Sequence, residues 1–411
     1  QCSLKLDISS IKLNPYIKTL GYKGYLKGGK FVAGIDLTHF DVMPQNPDNT
    51  PALQALVDSV HAKGGGLIQL SSGTYTFKGT VKWRSRVALE GVSVQSTVLR
   101  MEGNTNWSLF IGESTAQGVF APIESVRFCH FTVDAYDMKP KNYITNCKAF
   151  NIRPITDAVF DDLVLKGTPA TSLGIDFLNR VLINNVRVIE GGRLWSPGKG
   201  GGSGIGIGLR GYEDENFIIT NCVCVGCGNN GIFVEDQARF GNGINGRSPM
   251  AEGKGQIISN NIVKNGRNHG ISIQGARHIS ITDNVVYSNA GAGFYGNFYM
   301  SDVLVSQNQF LDNRYGVYLS PASNVSGTNG VGGFDDITFM GNVVRRNSDA
   351  GMLFTTPDTI TRLSLISNLV EGSPIDIQLQ GHFPQLFAND NTGKVKRLKA
   401  QKKKANMKKQ N

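Results

Sequence analysis

No stretch of this chain approaches 18 consecutive apolar residues, which excludes a membrane-spanning helix. Cysteine is scarce: six among 411 residues is too few for a disulfide scaffold. The one local cluster, C-V-C-V-G-C at 222–227, lacks a fourth ligand at zinc-site spacing, so buried thiols are expected there. No metal or cofactor motif is recognised. Charged residues make up only 18% of the chain, against 50 glycines, which argues against long charged helices. A secretory signal is not visible, and a chain that starts at Gln1 leaves export open.

Charge of one sign is also rare, except at the end. The net charge is +10, but residues 394–411 hold nine Lys/Arg and no acid, which leaves +1 for the first 393 residues. A nucleic-acid-binding function of the folded body is therefore not expected. The segment 394–411 reads as a basic disordered tail.

What is present is a repeat. Asn261, Asn284 and Asn308 recur at intervals of 23 and 24, and Gly270, Gly293 and Gly316 at intervals of 23. The segments between them are short Ile/Val alternations without helical spacing. A period in the low twenties built from short strands and turns predicts stacked windings, with each strand paired to the next winding about 4.8 Å away. The fold class expected is all-β: a single right-handed parallel β-helix, a solenoid, with an N-terminal capping helix. Ile257, Ile279 and Val303 are expected to stack inside it. Asp162, Asn185 and Cys222 extend the Asn column backwards, and Cys147 shares its I-T-N-C context.

The predicted organisation is a lead-in arm over 1–46, a β-helix domain over 47–393, and the tail. One convincing helix lies at 48–63. Asp48, Asn49 or Thr50 can cap it, Pro51 suits its first turn, and Gly64–Gly66 ends it. Leu53, Leu56, Val57 and Val60 form its apolar stripe, suited to covering the open end of a solenoid.

The run D-N-T-P-A-L-Q-A-L-V-D-S-V-H-A-K-G-G-G-L-I-Q-L-S-S-G-T-Y-T-F, followed by W-R-S-R-V-A-L-E-G, resembles the opening segment of the pectate-lyase-like β-helix superfamily. That group includes phage tailspike depolymerases, polysaccharide lyases, polygalacturonase-type hydrolases and uronan epimerases. The resemblance implies the fold, a polysaccharide partner, an extracellular or virion-associated location, and a homotrimer as one open oligomeric state. It leaves the reaction open between a hydrolase, a lyase or epimerase, and a non-catalytic glycan-binding or structural protein.

Gly/Ser-rich insertions at 193–204, 238–254 and 321–333 mark where function is expected, because the repeat does not need them. Strands aligned on their leading Gly read GIDFLNR (174–180), GIGIGLR (204–210) and GIFVEDQ (231–237). Asp176 and Glu235 are the expected catalytic pair, two windings and so roughly 10 Å apart plus any lateral offset. Paired carboxylates that activate a water and invert stand about 6.5–9.5 Å apart. Gly206 and Gly208 leave a trough between them, and Asp236 substitutes if the strand bulges. Trp195, Arg210 and Arg239 are expected to bind substrate, with Tyr295 in an aromatic column with Tyr299 and Tyr318. His269 joins them because N-H-G-I-S-I-Q-G is similar to the G-H-G-[LI]-S-[IV]-G motif of polygalacturonase-like hydrolases. The N-T-D and D-D elements of that family, the calcium-binding Asp cluster of pectate lyases and the D-P-H-E run of uronan epimerases are not found.

Overall fold

A computed structural model describes residues 42–112, 122–209, 215–237, 255–320 and 333–398. These residues carry thirty strands, all in one continuous sheet system. Strands pair in parallel with their counterparts one winding later. Ile205 stands beside Ile232, Ile232 beside Ile271, and Ile271 beside Phe294. The predicted coil is therefore the architecture.

The lone described helix, Thr50–Ala62, buries Leu53, Leu56, Val57 and Val60 against the first strands, as expected of a cap. Asp48 Oδ1 accepts the backbone N–H groups of Thr50 (2.9 Å) and Lys78 (3.1 Å), tying the helix start to the second strand. Residues 1–41 of the expected lead-in arm lie outside the described residues. So do 399–411. Val395–Leu398, expected in the disordered tail, instead forms a strand on Ile377–His382: its backbone simply continues the ladder.

The lumen is filled differently along its length. Near the start, Trp83, Phe110, Phe128, Phe150 and Phe160 touch in sequence, with ring centroids 4.7–5.4 Å apart. Further on, Asn261, Asn284, Asn308, Asn342, Asn368 and Asn391 form a ladder. Each Nδ2–H donates to the next Oδ1 at 2.8–3.0 Å. The same Oδ1 also accepts the backbone N–H of the preceding Asn at 3.0–3.1 Å. A second ladder runs through Asn289 and Asn313.

Register corrects three expectations. Cys222 does lie on the Asn column, its N–H donating to Asn261 Oδ1. Asp162 and Asn185, however, sit one position earlier, with φ of 46° and 50°, beside Leu163 and Val186, which hold the column's place in those windings. Cys147 belongs to a different turn, its carbonyl accepting the Ala170 N–H. Ile257 faces out: Gln256 and Ile258 are its inward neighbours, paired with Ile279 and Ile281. With two adjacent isoleucines, alternation alone leaves the parity ambiguous.

The Gly column is steric. A Cβ on Gly270 would lie 2.2 Å from Val286 Cγ1, and one on Gly316 2.3 Å from Val344 Cγ1.

Candidate active site

Pairing places the two predicted acids in one file. Asp176 pairs with Gly208, and Gly208 with Glu235. The sequence alignment on leading glycines is off by two here, since Gly174 pairs with Gly206 rather than Gly204. The correct register removes the expected lateral offset. Two rungs remain, roughly 10 Å between backbones. Asp176 leans across that gap: its Oδ1 would lie 2.4 Å from a Cβ on Gly208. Glycine at 208 is thus required by the Asp176 carboxylate and the Gln237 side chain that cover it.

Neighbouring side chains fix both acids. Arg153 Nη1 lies 3.7 Å from Asp176 Oδ2, and the Asp176 side chain is 14% exposed. Gln237 Nε2 donates to Glu235 Oε1 at 2.8 Å. Lys148 completes the group from the previous winding. Its Nζ donates to Asn151 Oδ1 (3.2 Å) and would lie 2.9 Å from a Cβ on Gly174. The residue keeps some exposed surface, but its ammonium is desolvated. Burial pushes the Lys148 pKa down; Asp176 and Glu235 act against this and Arg153 adds to it. Sequence reasoning missed Lys148, Asn151, Arg153 and Gln237. The signal was present in C-K-A-F-N-I-R (147–153), where period-two alternation turns Asn151 and Arg153 outward on the winding below Asp176.

The remaining expected residues divide. Asp236 is fully buried and its Oδ2 accepts the Tyr299 hydroxyl at 2.9 Å, so it braces the wall instead of facing the trough. Tyr299 is thereby removed from the aromatic column. Trp195 is 7% exposed, donates Nε1–H to Lys199 O at 2.8 Å and packs over Gly202. It anchors its loop and offers no open stacking face. Arg210 and Arg239 lie outside the described residues.

Tyr295 and Tyr318 are register partners with centroids 5.5 Å apart, and His269 stacks on Tyr295 at 4.1 Å and 8°. His269 Nδ1 accepts the Ala292 N–H at 3.0 Å, which requires the neutral ring. Burial pushes its pKa down to about 4. Tyr295 and Tyr318 lie on the row that also carries Ser272 and Phe233, one row from Glu235, and His269 reaches Tyr295 from the row of Asn230 and Ala292. Acid–base chemistry in the trough, with a ring-stacking strip alongside, is what this arrangement can perform.

Among the described residues, no helix is long and apolar enough to cross a membrane. Residues 250–383 match the family model described as a right handed beta helix region. No curated protein matches the chain significantly. Solved structures do. The Azotobacter vinelandii mannuronan C-5 epimerase AlgE6 A-module is similar at 15% identity and a TM-score of 0.63, over 89% of this chain and 99% of that one. PfbA, a surface adhesin of Streptococcus pneumoniae, is similar at 16% and 0.63, over 90% and 91%. An exopolygalacturonase from Thermotoga maritima is similar at 12% and 0.56, over 87% and 92%. At such identities the likeness establishes a shared right-handed parallel β-helix and leaves the chemistry to the residues.

Proposed function

We propose that this right-handed parallel β-helix is a carbohydrate-active enzyme that cleaves within an extracellular or capsular polysaccharide by glycoside hydrolysis. The observation that carries the reading is the file Asp176–Gly208–Glu235, two acids on either side of a glycine over which the Asp176 carboxylate and Gln237 lean. Asp176, beside the Arg153 cation, is assigned as the base that activates water. Glu235, held by the Gln237 amide, is assigned as the acid that protonates the leaving oxygen. A backbone spacing of roughly 10 Å stands near the upper end of the about 6.5–9.5 Å carboxyl separation of inverting enzymes, and the inverting course is part of the proposal. The strip of His269, Tyr295 and Tyr318 extends the binding track along the axis as an aromatic wall beside the trough.

A second reading, β-elimination on a uronan, is favoured by one observation: the desolvated Lys148 beside the same trough. A lysine whose pKa is lowered can take a proton α to a carboxylate. The experiment is a panel of capsular and uronic-acid polysaccharides followed by viscosity and by absorbance near about 235 nm, where an unsaturated uronate absorbs. Viscosity loss without absorbance supports hydrolysis, and rising absorbance supports elimination. Asp176→Asn and Glu235→Gln should each lower kcat by about 10²–10⁴-fold. Full activity in both variants removes the assignment.

A further inference from the structure

Away from the trough, the first windings carry a set of donor atoms that the proposed reaction does not use. Glu90 closes the strand Val87–Glu90, and Cys129 is its register partner on the next winding. His130 follows at the corner, in the left-handed backbone conformation with φ 61°. One donor atom from each of Glu90, Cys129 and His130 lies within 4.8 Å of the other two. His130 Nε2 is 4.0 Å from Glu90 Oε1. Its Nδ1 is bonded to Asp162 Oδ2 at 2.9 Å, from the third winding. Asp162 is itself held, its Oδ1 accepting Asn185 Nδ2 at 3.0 Å.

This is the arrangement that supports a metal-ligating imidazole. A carboxylate behind one ring nitrogen fixes the tautomer and aims the other nitrogen at the ion. The left-handed backbone at His130 is the corner conformation shared by Asp162, Asn185 and Asn221 in the windings that follow. A thiolate, an imidazole and a carboxylate together match zinc and similar borderline divalent ions, and three protein ligands leave a fourth position for water.

We propose that Glu90, Cys129 and His130 form a divalent-metal site, zinc being the ion that best fits, with Asp162 orienting His130. On binding, the Cys129 thiol releases its proton to solvent as the metal–sulfur bond forms, and no electrons move. In the metal-free chain the thiol is engaged by Arg127, which must swing aside. The ion would clip the second winding to the first, close to the helix that covers this end.

The test uses the full chain stripped with chelator and titrated with cobalt(II), then with zinc. One equivalent of cobalt should produce thiolate charge-transfer and tetrahedral ligand-field bands, which zinc then abolishes. Cys129→Ser should remove the charge-transfer band, and His130→Gln and Glu90→Gln should weaken binding at least about tenfold. Asp162→Asn should weaken it by about 10–100-fold. Saturating zinc should raise Tm in the parent chain and not in His130→Gln. Absence of the bands at millimolar cobalt overturns the site, as do bands that persist in Cys129→Ser. If Cys129→Ser does not fold, unchanged affinity in both Glu90→Gln and Asp162→Asn, which alter part-exposed carboxylates, overturns it equally.

Discussion

The windings before residue 190 and those after 255 follow the same backbone path on different fillings. At one corner column, Phe131, Leu163 and Val186 occupy the early windings, all buried. Asn261 to Asn391 occupy the later ones. Aromatic rings pack in both lumens, as Phe294, Phe339 and Phe354 do in the late one, and what the late windings add is a corner of amides that satisfy their own backbone. The solenoid therefore requires closure of the corner, by either apolar packing or a completed hydrogen-bond chain. Cys222 stands at the changeover: its N–H joins the Asn ladder while its thiol lies against Ile183 O. The proposed catalytic file spans 176–235, the same changeover.

The comparison can be broken most severely in the late region. Asn308→Ala orphans the N–H of Asn284, leaves Asn284 Nδ2 only its two carbonyl acceptors, strips the amide donor from the Ile281 carbonyl, and takes one of two donors from Asn342 Oδ1. With each buried unsatisfied group costing about 1–3 kcal/mol, a loss on the order of 5 kcal/mol is expected in denaturant unfolding. The early region should respond differently. Phe128→Ala leaves no orphaned polar group, only a cavity, and should cost about 3–5 kcal/mol. If a small apolar ligand restores stability to Phe128→Ala but not to Asn308→Ala, the two fillings differ as described.

Acid provides a third probe. His269 binds its proton less readily when folded (about 4) than when unfolded, since burial disfavours the charged ring. Between the ordinary imidazole range and about pH 4 the unfolded chain then binds more protons, so stability falls as pH falls through that window. Protonation also breaks the Ala292 N–H to Nδ1 bond. Stability measured against pH should flatten in His269→Gln. The smallest effect is expected from Cys222→Asn, which extends the ladder by one rung. Its amide would replace the thiol opposite Ile183 O and the Val186 N–H, so a change within about 1 kcal/mol is expected. A large loss there would mean that the changeover itself needs sulfur.

The late windings were readable because each ladder rung repeats a polar residue between Ile/Val runs at a nearly fixed interval. Period and fold followed directly from Asn261, Asn284 and Asn308. In the early windings, where the corner is apolar, the column was misplaced at Asp162, and in the late ones two adjacent isoleucines still hid the parity at Ile257. The candidate acids were legible as residues, though their alignment was not, because Gly174, Gly204 and Gly206 are interchangeable to the eye. Lys148 and Arg153 went unseen since they precede the insertions that drew attention. Trp195 was misjudged for an energetic reason: a loop of glycines needs an anchor, and a large ring is the cheapest one.

Every amide in the Asn column is oriented alike, its oxygen turned toward earlier windings and its nitrogen toward later ones. The column is thus a one-way chain with a polarity of its own, and the two ends of a shortened molecule are not equivalent. Truncation from the front strips partners from oxygens, which water satisfies readily. Truncation from the back removes the acceptor of one backbone N–H, while the last NH₂ keeps a carbonyl of the winding before it, as Asn391 does on Leu365 O, so the two new ends expose different groups.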